Sequence, residues 1–297
     1  MTREEVTAER RDAALMSFLQ LLFGVSTKES NRYESLIVSD GSKDISEVDD
    51  QIHDNGAHAL LVAPQKPKDW EGDFLVFDGG MGQEGDQTII GGSLVIETVS
   101  YGVLPYLQVS GPTYVMIEKD EDWARFLKDS QKFSLTGQLP TYLTTPGIIM
   151  DVGTVLGCCA SCAKRFFVRD GVTTTTLAGD DSMVSRYSDD VRVRAFAAAI
   201  FLVQASVSNS RIVFSPQSVD ADDAELLLAY DEANGRGIAM NVDSGCLFSL
   251  SADSFLVLDA FRRGQDAKIA ASHKFNIGVD EIERARDYVL QRMGIDD

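Results

Sequence analysis

Apolar and polar residues alternate in short blocks along most of the first two hundred residues of the chain. Apolar positions at helical spacing predict an N-terminal helix over residues 2–24, and a second, Ala-rich helix over 191–206 that is apolar on most sides. Strand-sized runs rich in β-branched and aromatic residues lie between them, namely 35–38, 59–63, 74–77, 94–99 and 114–117. This mixture predicts a mixed α/β domain over 1–214.

Residues 224–297 carry sharper signals for individual elements. Asn234-Gly235 is a strong signal for a hairpin turn, and Ser251 is a suitable N-cap for the first of three helices. The predicted elements are strands over 225–230, 237–242 and 246–250, followed by helices over 252–263, 266–273 and 280–293. Three strands followed by three helices resemble a winged-helix domain.

A polar segment separates the two parts. Residues 215–223 contain a proline and three aspartates, a composition typical of a linker. The predicted fold class is therefore α+β: a mixed α/β N-terminal domain over 1–214, a linker over 215–223 and a C-terminal winged-helix domain over 224–297.

The charge balance of the chain bears on one class of function, nucleic-acid binding. The 297 residues contain 27 Lys plus Arg against 46 Asp plus Glu, which gives a net charge of −19. Phosphate backbones repel such a surface, because nucleic-acid affinity depends on basic residues that neutralise phosphates. Residues 224–297 share the excess, with 8 basic and 13 acidic residues. The DNA-binding function that a winged-helix shape suggests is therefore disfavoured, and we expect no nucleic-acid partner.

The apolar stretch near the N-terminus predicts an amphipathic helix and not a signal peptide. Acidic and basic residues are mixed ahead of residues 13–25, and no A-x-A-like cleavage motif follows them. No run approaches the ~20 apolar residues of a membrane-spanning helix. We therefore expect a cytoplasmic protein without a membrane partner, whose four cysteines form no disulfide framework.

The C-terminal segment resembles the RiPP recognition element, the domain that holds leader peptides during maturation of ribosomally synthesised and post-translationally modified peptides (RiPPs). Its prototype is the peptide chaperone of pyrroloquinoline quinone biosynthesis. The resemblance is carried by Asp231-Glu232, Leu247 to Ala252, Phe255 to Leu258, Gly264, Ile269-Ala270 and Ile282 to Val289. It covers about a quarter of the chain and implies a leader-peptide-binding function.

The predicted strand order also suggests a peptide site on physical grounds. The third strand would lie at a sheet edge, where an extended peptide can add a further strand through main-chain hydrogen bonds. The predicted site residues on this strand are Cys246, Leu247, Phe248, Ser249 and Leu250. The third helix would form the other wall of the site, with Arg284, Tyr288 and Arg292, or Gln291 in place of Arg292. The arginines would attract an acidic leader peptide.

The chain as a whole is similar to the stand-alone recognition proteins of actinobacterial RiPP clusters, in particular those of daptide biosynthesis. That family implies a non-catalytic adaptor, which binds a precursor peptide and presents it to an oxidative decarboxylase acting on the peptide's C-terminal threonine. The N-terminal domain would then dock this modifying enzyme, a decarboxylase or dehydrogenase. A homodimer is left open.

A cysteine cluster carries the alternative function. Cys158, Cys159 and Cys162 include one C-x-x-C pair, which is half of a zinc site or the centre of a redox motif. The three histidines of the chain stand at no ligand spacing, and no catalytic motif accompanies them. Reduced cysteines, no cofactor and no enzymatic activity are therefore favoured. The alternative is a metal-dependent or redox enzyme built around this cluster, with structural zinc as the candidate metal.

Overall fold

The computed structural model describes residues 18, 22, 33, 35–42, 59–68, 70, 73–76, 81–92, 94–145, 147–150, 152, 164–174, 177, 188–205, 211–217, 225–243 and 245–293. The chain divides into two compact units. The first comprises Met1–Trp123, Thr145–Asp151 and Ser161–Val184, and the second comprises Ala124–Thr144, Val152–Ala160 and Ser185–Asp297.

Runs of strands are followed by one or more helices along the described residues, which confirms the α+β fold class. The strands are β1 (Ser35–Ser39), β2 (Ala59–Ala63), β3 (Asp73–Val76), β4 (Met81–Glu84), β5 (Gln87–Ile90), β6 (Leu94–Ser100), β7 (Thr113–Met116), β8 (Ile148–Met150), β9 (Lys164–Arg169), β10 (Val172–Thr174), β11 (Ile212–Phe214), β12 (Leu226–Asp231), β13 (Arg236–Asn241) and β14 (Leu247–Leu250). The α-helices are α1 (Asp120–Thr136), α2 (Val191–Ala205), α3 (Ala252–Arg263), α4 (Gln265–Phe275) and α5 (Val279–Arg292).

The first unit contains two five-stranded sheets, in the orders β10-β9-β1-β2-β3 and β4-β5-β6-β7-β8. Strands β1, β2, β3 and β9 are parallel, and the first two are buried at every position, which is typical of parallel strands covered on both faces. Leu36 and Leu60 on one face share a core cluster with Ile96 and Tyr114 of the other sheet. The two sheets of this unit therefore pack against a common core.

Phe18 and Leu22 are helical and buried in the same core, as the N-terminal pattern predicts. The Leu22 carbonyl accepts a hydrogen bond from the Arg165 side chain (3.2 Å). The other residues of the predicted helix over 2–24 lie outside the described residues.

The buried Asp122 side chain fastens the loops that follow β6 and β7. Its carboxylate accepts hydrogen bonds from the Ser100 hydroxyl (2.5 Å) and from the Gly102, Glu118 and Lys119 amides (2.9–3.2 Å). Burial raises the pKa of Asp122, but these hydrogen bonds outweigh it and lower the pKa below its usual value. The carboxylate thus has a structural role, since its four donors lie at the end of β6 and in the loops that follow β6 and β7.

The second unit is built on one antiparallel sheet in the order β11-β12-β13-β14. One of its faces packs on helices α3 and α5, because Leu228 and Ala239 share a core cluster with Phe255, Leu258 and Leu290. Side chains alternate between faces along a strand. The intervening apolar residues, also fully buried, therefore point to the opposite face, where α2 lies against β12.

Strand β11 belongs to the C-terminal sheet, although sequence patterning assigns residues 211–214 to the N-terminal domain. It pairs with β12, and Phe214 contacts the Phe133 ring of α1, which in turn packs on Phe196 of α2. The compact unit therefore begins well before the predicted boundary at 215–223. A separate domain over 224–297 stays a prediction.

Two residues of the predicted linker, Ser215 and Gln217, are buried despite its polar composition. The Ser215 hydroxyl donates a hydrogen bond to Asp259 of α3, and the Gln217 side-chain amide donates to the Leu226 carbonyl (3.1 Å). Each of these buried side chains donates a hydrogen bond inside the unit, as buried polar groups generally do. Residues 215–217 therefore do not form a solvated linker, and 218–223 lie outside the described residues.

The order of three strands followed by three helices at the C-terminus is confirmed. Each element agrees with its predicted bounds to within about two residues. Ser251 is the N-cap of α3, as predicted, and its hydroxyl accepts a hydrogen bond from the Ser254 amide (3.0 Å). Among the helices that the structure describes, none has both the length and the apolar character needed to cross a membrane.

Candidate functional site

Strand β14 lies at the edge of the C-terminal sheet. Its one neighbour in the sheet, among the described residues, is β13. Cys246 lies just ahead of the strand with an exposed side chain, and its carbonyl accepts a hydrogen bond from the Asn241 amide (3.0 Å). The structure thus places the predicted site strand 246–250 at an edge of the sheet formed by the described residues.

Main-chain hydrogen bonds alternate in direction along this edge. In an antiparallel ladder, hydrogen-bonded pairs alternate with non-hydrogen-bonded pairs. Because Cys246 bonds to β13, Phe248 and Leu250 also direct their main-chain groups toward β13. Leu247 and Ser249 lie between them and direct their N–H and C=O groups away from the sheet. An added strand would therefore find two donors and two acceptors on β14.

The side chains of β14 divide between the two faces of the sheet. Leu250 is buried and Phe248 half-buried in the core cluster under α3 and α5. Leu247 is half-buried and Ser249 exposed on the other face. Residues 246–251 contain no charged residue and no proline, the residue types that commonly protect an exposed edge. This edge is therefore uncharged, partly apolar and unprotected by its own sequence.

The C-terminal half of helix α5 belongs to the same core cluster as the edge strand. Leu290 is buried, and Val289 and Met293 are partly buried, in the cluster that also contains Phe248 and Leu250. The N-terminal half of α5 packs instead on α3 and α4. The C-terminal half of α5 and the edge strand thus share one core cluster, and the two-walled site stays a prediction.

The predicted contact residues of α5 form one exposed row. Arg284, Tyr288 and Arg292 are four residues apart and lie on one side of the helix. Arg284 is 75% exposed and Tyr288 60% exposed, and the Arg292 guanidinium lies 5.8 Å from the centre of the Tyr288 ring. Arg284 also lies 3.9 Å from Glu281. The structure therefore brings Tyr288 and Arg292 together, whereas no hydrogen bond or ion pair among the described residues joins this row to β14.

An ion cluster lies at the turn that leads into the edge strand. Arg194 of α2 forms an ion pair with Asp243, and Glu225 lies close to Asp243. Burial raises the pKa of Glu225, the neighbouring Asp243 carboxyl raises it further, and Arg194 opposes both effects. The cluster joins the start of α2 to the β13–β14 turn. Sequence patterning misses it because the three residues are distant in the chain.

A second feature without a sequence signal is the cation-lined ring of Phe261. The Lys268 ammonium lies 4.0 Å and the Arg286 guanidinium 5.2 Å from the ring centre, and Lys268 is 3.8 Å from Glu283. These contacts join α3, α4 and α5 on the side of the bundle that the sheet does not cover. They stabilise the position of α5, and hence of its exposed row.

The cysteine cluster of the alternative function cannot be placed within this site. Cys158, Cys159 and Cys162 lie outside the described residues. Where the structure does describe the chain, no group of His, Cys, Asp or Glu side chains has the arrangement of a metal site. The zinc and redox expectations for the cluster therefore stay predictions.

Comparison of the chain with protein-family models, curated proteins and solved structures finds no match.

Proposed function

We propose that this chain is a non-catalytic, cytoplasmic recognition protein of RiPP biosynthesis, which binds a precursor peptide and presents it to a modifying enzyme. The observation that carries the proposal is the open, uncharged edge of β14, where Leu247 and Ser249 direct their main-chain groups outward. The sequence resemblance to RiPP recognition elements supplies the class of peptide.

The bound leader peptide extends the sheet as a further strand beside β14. Main-chain hydrogen bonds to Leu247 and Ser249 supply affinity that does not depend on the peptide sequence. Specificity comes from alternate side chains of the peptide, which face either the half-buried Phe248 or the opposite side of the sheet. In this arrangement residues 224–297 act as a winged-helix peptide clamp.

Helix α5 contributes the second set of contacts. The exposed Tyr288, with Arg292 against its ring, combines apolar area with positive charge, the combination most common at interface hot spots. Arg284 extends the row by one turn. Acidic residues of a leader peptide pair with these arginines, although the chain as a whole carries a net charge of −19.

The remainder of the chain docks the modifying enzyme. By family resemblance this partner is an oxidative decarboxylase or dehydrogenase that acts on a C-terminal threonine of the peptide. The first unit, with its own sheets and core, is the candidate docking region.

Fluorescence anisotropy with a labelled synthetic precursor peptide, encoded beside the gene, tests the proposal. The wild-type chain should bind with a dissociation constant in the micromolar range or below, about −8 kcal/mol. Changing both Arg284→Ala and Tyr288→Ala should weaken binding about tenfold or more, because exposed Tyr and Arg anchors each contribute on the order of 1–2 kcal/mol. Undiminished binding by this variant would show that α5 is not a wall of the site.

Two proline variants distinguish loss of peptide contacts at the edge strand from loss of binding through general destabilisation. Ser249→Pro removes an outward amide of β14 and leaves the ladder to β13 intact, so peptide binding should fall while the fold persists. Ile212→Pro is the matched control, since Ile212 likewise directs its amide away from the sheet, on strand β11. Equal loss of binding in both variants, or no binding by the wild type, would exclude peptide addition at β14.

A further inference from the structure

The open edge of the C-terminal sheet is complementary to itself. Leu247 and Ser249, the outward-directed residues, are separated by one residue, Phe248. If a second β14 approaches antiparallel, a two-fold axis through Phe248 pairs Leu247 of each copy with Ser249 of the other. All outward N–H and C=O groups of both strands are then hydrogen-bonded.

The side chains are compatible with this pairing. Phe248 of one copy lies opposite Phe248 of the other as a non-hydrogen-bonded pair, with Cα atoms about 4.5 Å apart. Such aromatic pairs stabilise antiparallel strands. Residues 246–251 carry no charge, so no like charges oppose each other across the axis.

We propose that β14 pairs with β14 of a second copy of this chain, antiparallel and with Phe248 on the two-fold axis, and that this pairing closes the edge to peptide. The closing effect rests on the proposed function, because it requires the edge to be the peptide site. The pairing itself requires only the geometry of the strand.

The paired state is weak and reversible. The strand has four residues and spans about 13 Å at 3.3 Å per residue, whereas a standard interface uses roughly 20–30 residues a side. Each copy also carries a net charge of −19, so the copies repel each other at long range. Salt screens this repulsion within a Debye length of about 10 Å at 0.1 M. Self-association therefore appears at high protein concentration and strengthens with added salt.

Sedimentation velocity on the full chain, at concentrations up to about 1 mM and at low and high salt, tests the pairing. The expected result is a reversible monomer–dimer equilibrium that shifts toward dimer as salt is added. A monomer at every concentration, or a dimer that dissociates on addition of salt, overturns the proposal.

Two charge variants at the same positions test the register. Leu247→Lys with Ser249→Lys opposes like charges at both paired positions and should weaken the dimer about tenfold. Leu247→Lys with Ser249→Asp opposes unlike charges and should restore dimerisation at least to the wild-type level. The first variant has a net charge of smaller magnitude than the second. General repulsion between copies would therefore make the first variant the stronger dimer, the opposite of the order expected from the register. Equal behaviour of the two variants, each shown to be folded by circular dichroism, overturns the register and the proposal with it.

Adding the labelled precursor peptide to the dimer separates this inference from the proposed function. We expect the peptide to convert dimer into peptide-bound monomer. A chain that dimerises through the edge but does not bind the peptide refutes the proposed function and leaves the pairing intact. A chain that binds the peptide but stays monomeric throughout refutes the pairing and leaves the proposed function intact.

Discussion

The two edges of the C-terminal sheet differ in what lies against them. At the β11 edge, the buried Phe214 packs its ring on Phe133 of α1, with ring centres 5.5 Å apart. Gly137, just after α1, has a φ of +66° and approaches the Phe214 carbonyl so closely that a Cβ would lie 2.4 Å from its oxygen. At the β14 edge, the described residues place no comparable element.

The two edges of this sheet thus differ in how their outward-directed main-chain groups are protected. The β11 edge is covered by the chain's own helix end, which requires an apolar side chain and a close backbone approach. The β14 edge has neither a cover among the described residues nor the charges that usually protect an edge. Among the described residues, the β14 edge is therefore the one that the proposed peptide or second copy would use.

Removing the anchor of the covered edge should have the largest effect. Phe214→Ala should lower the free energy of unfolding by about 3–5 kcal/mol, because it leaves a cavity between β11 and α1. Guanidinium unfolding followed by circular dichroism measures this. Val213→Ala is the control on the same strand, since Val213 is 36% exposed, and should cost about 1 kcal/mol or less. Similar losses for both would mean that β11 is not anchored through Phe214.

The stability of the chain should be nearly as sensitive to added side-chain volume at Gly237, which packs beneath the open edge. A Cβ at Gly237 would lie 2.6 Å from the Phe255 Cβ and 3.0 Å from the Leu250 Cβ. Gly237→Ala should therefore destabilise the chain by about 1–3 kcal/mol, as measured by chemical unfolding. Gly111→Ala is the control, because a Cβ there meets nothing within 4 Å. Unchanged stability of Gly237→Ala would show that β13, β14 and α3 pack less closely than these distances require.

Asp231 links the covered edge to the hairpin and should make stability depend on pH. A hydrogen bond from the Asn234 side chain (2.6 Å), with those from two backbone amides, lowers the pKa of Asp231 against the opposing effect of burial. The folded-state pKa thus lies below the unperturbed value of about 3.9. The contribution of Asp231 is present in full above that value and is lost as pH falls through the folded-state pKa.

Asp231→Asn should therefore lower the free energy of unfolding by about 1–2 kcal/mol at pH 7, and the difference from wild type should shrink in acid. Urea unfolding at several pH values measures it. Glu232→Gln, at an exposed neighbouring carboxylate, should change stability by less than about 1 kcal/mol. A constant difference from pH 7 to strong acid would contradict the assigned role of the Asp231 carboxylate.

The helix that follows the open edge provides the smallest expected effect. Ser251→Ala removes the N-cap of α3 and should cost about 1 kcal/mol, measurable as a shift in the urea midpoint. Ser254→Ala keeps the backbone amide that the cap accepts from and should cost less than about 0.5 kcal/mol. The reverse order of the two variants would place the cap elsewhere.

The strands and helices of the C-terminal segment could be predicted because their signals are local. Asn234-Gly235 specifies a tight turn, Ser251 a helix start, and the spacing of apolar residues the buried side of each helix. The partner of β11 could not be predicted in this way. A three-residue strand can pair with any sheet, and its choice is made by distant residues such as Phe133 and Gly137.

The candidate site likewise combines features that the local sequence determines with features that only tertiary contacts determine. Sequence alone determined that residues 247–250 form a strand, that this strand is uncharged, and that Arg284, Tyr288 and Arg292 share one side of a helix. Tertiary structure decided which edge of the sheet is covered, that Ser215 and Gln217 are buried, and that Leu247 and Ser249 direct their main-chain groups outward. Turn and helix signals act over a few neighbouring residues, whereas strand pairing and burial depend on contacts between residues far apart in the chain.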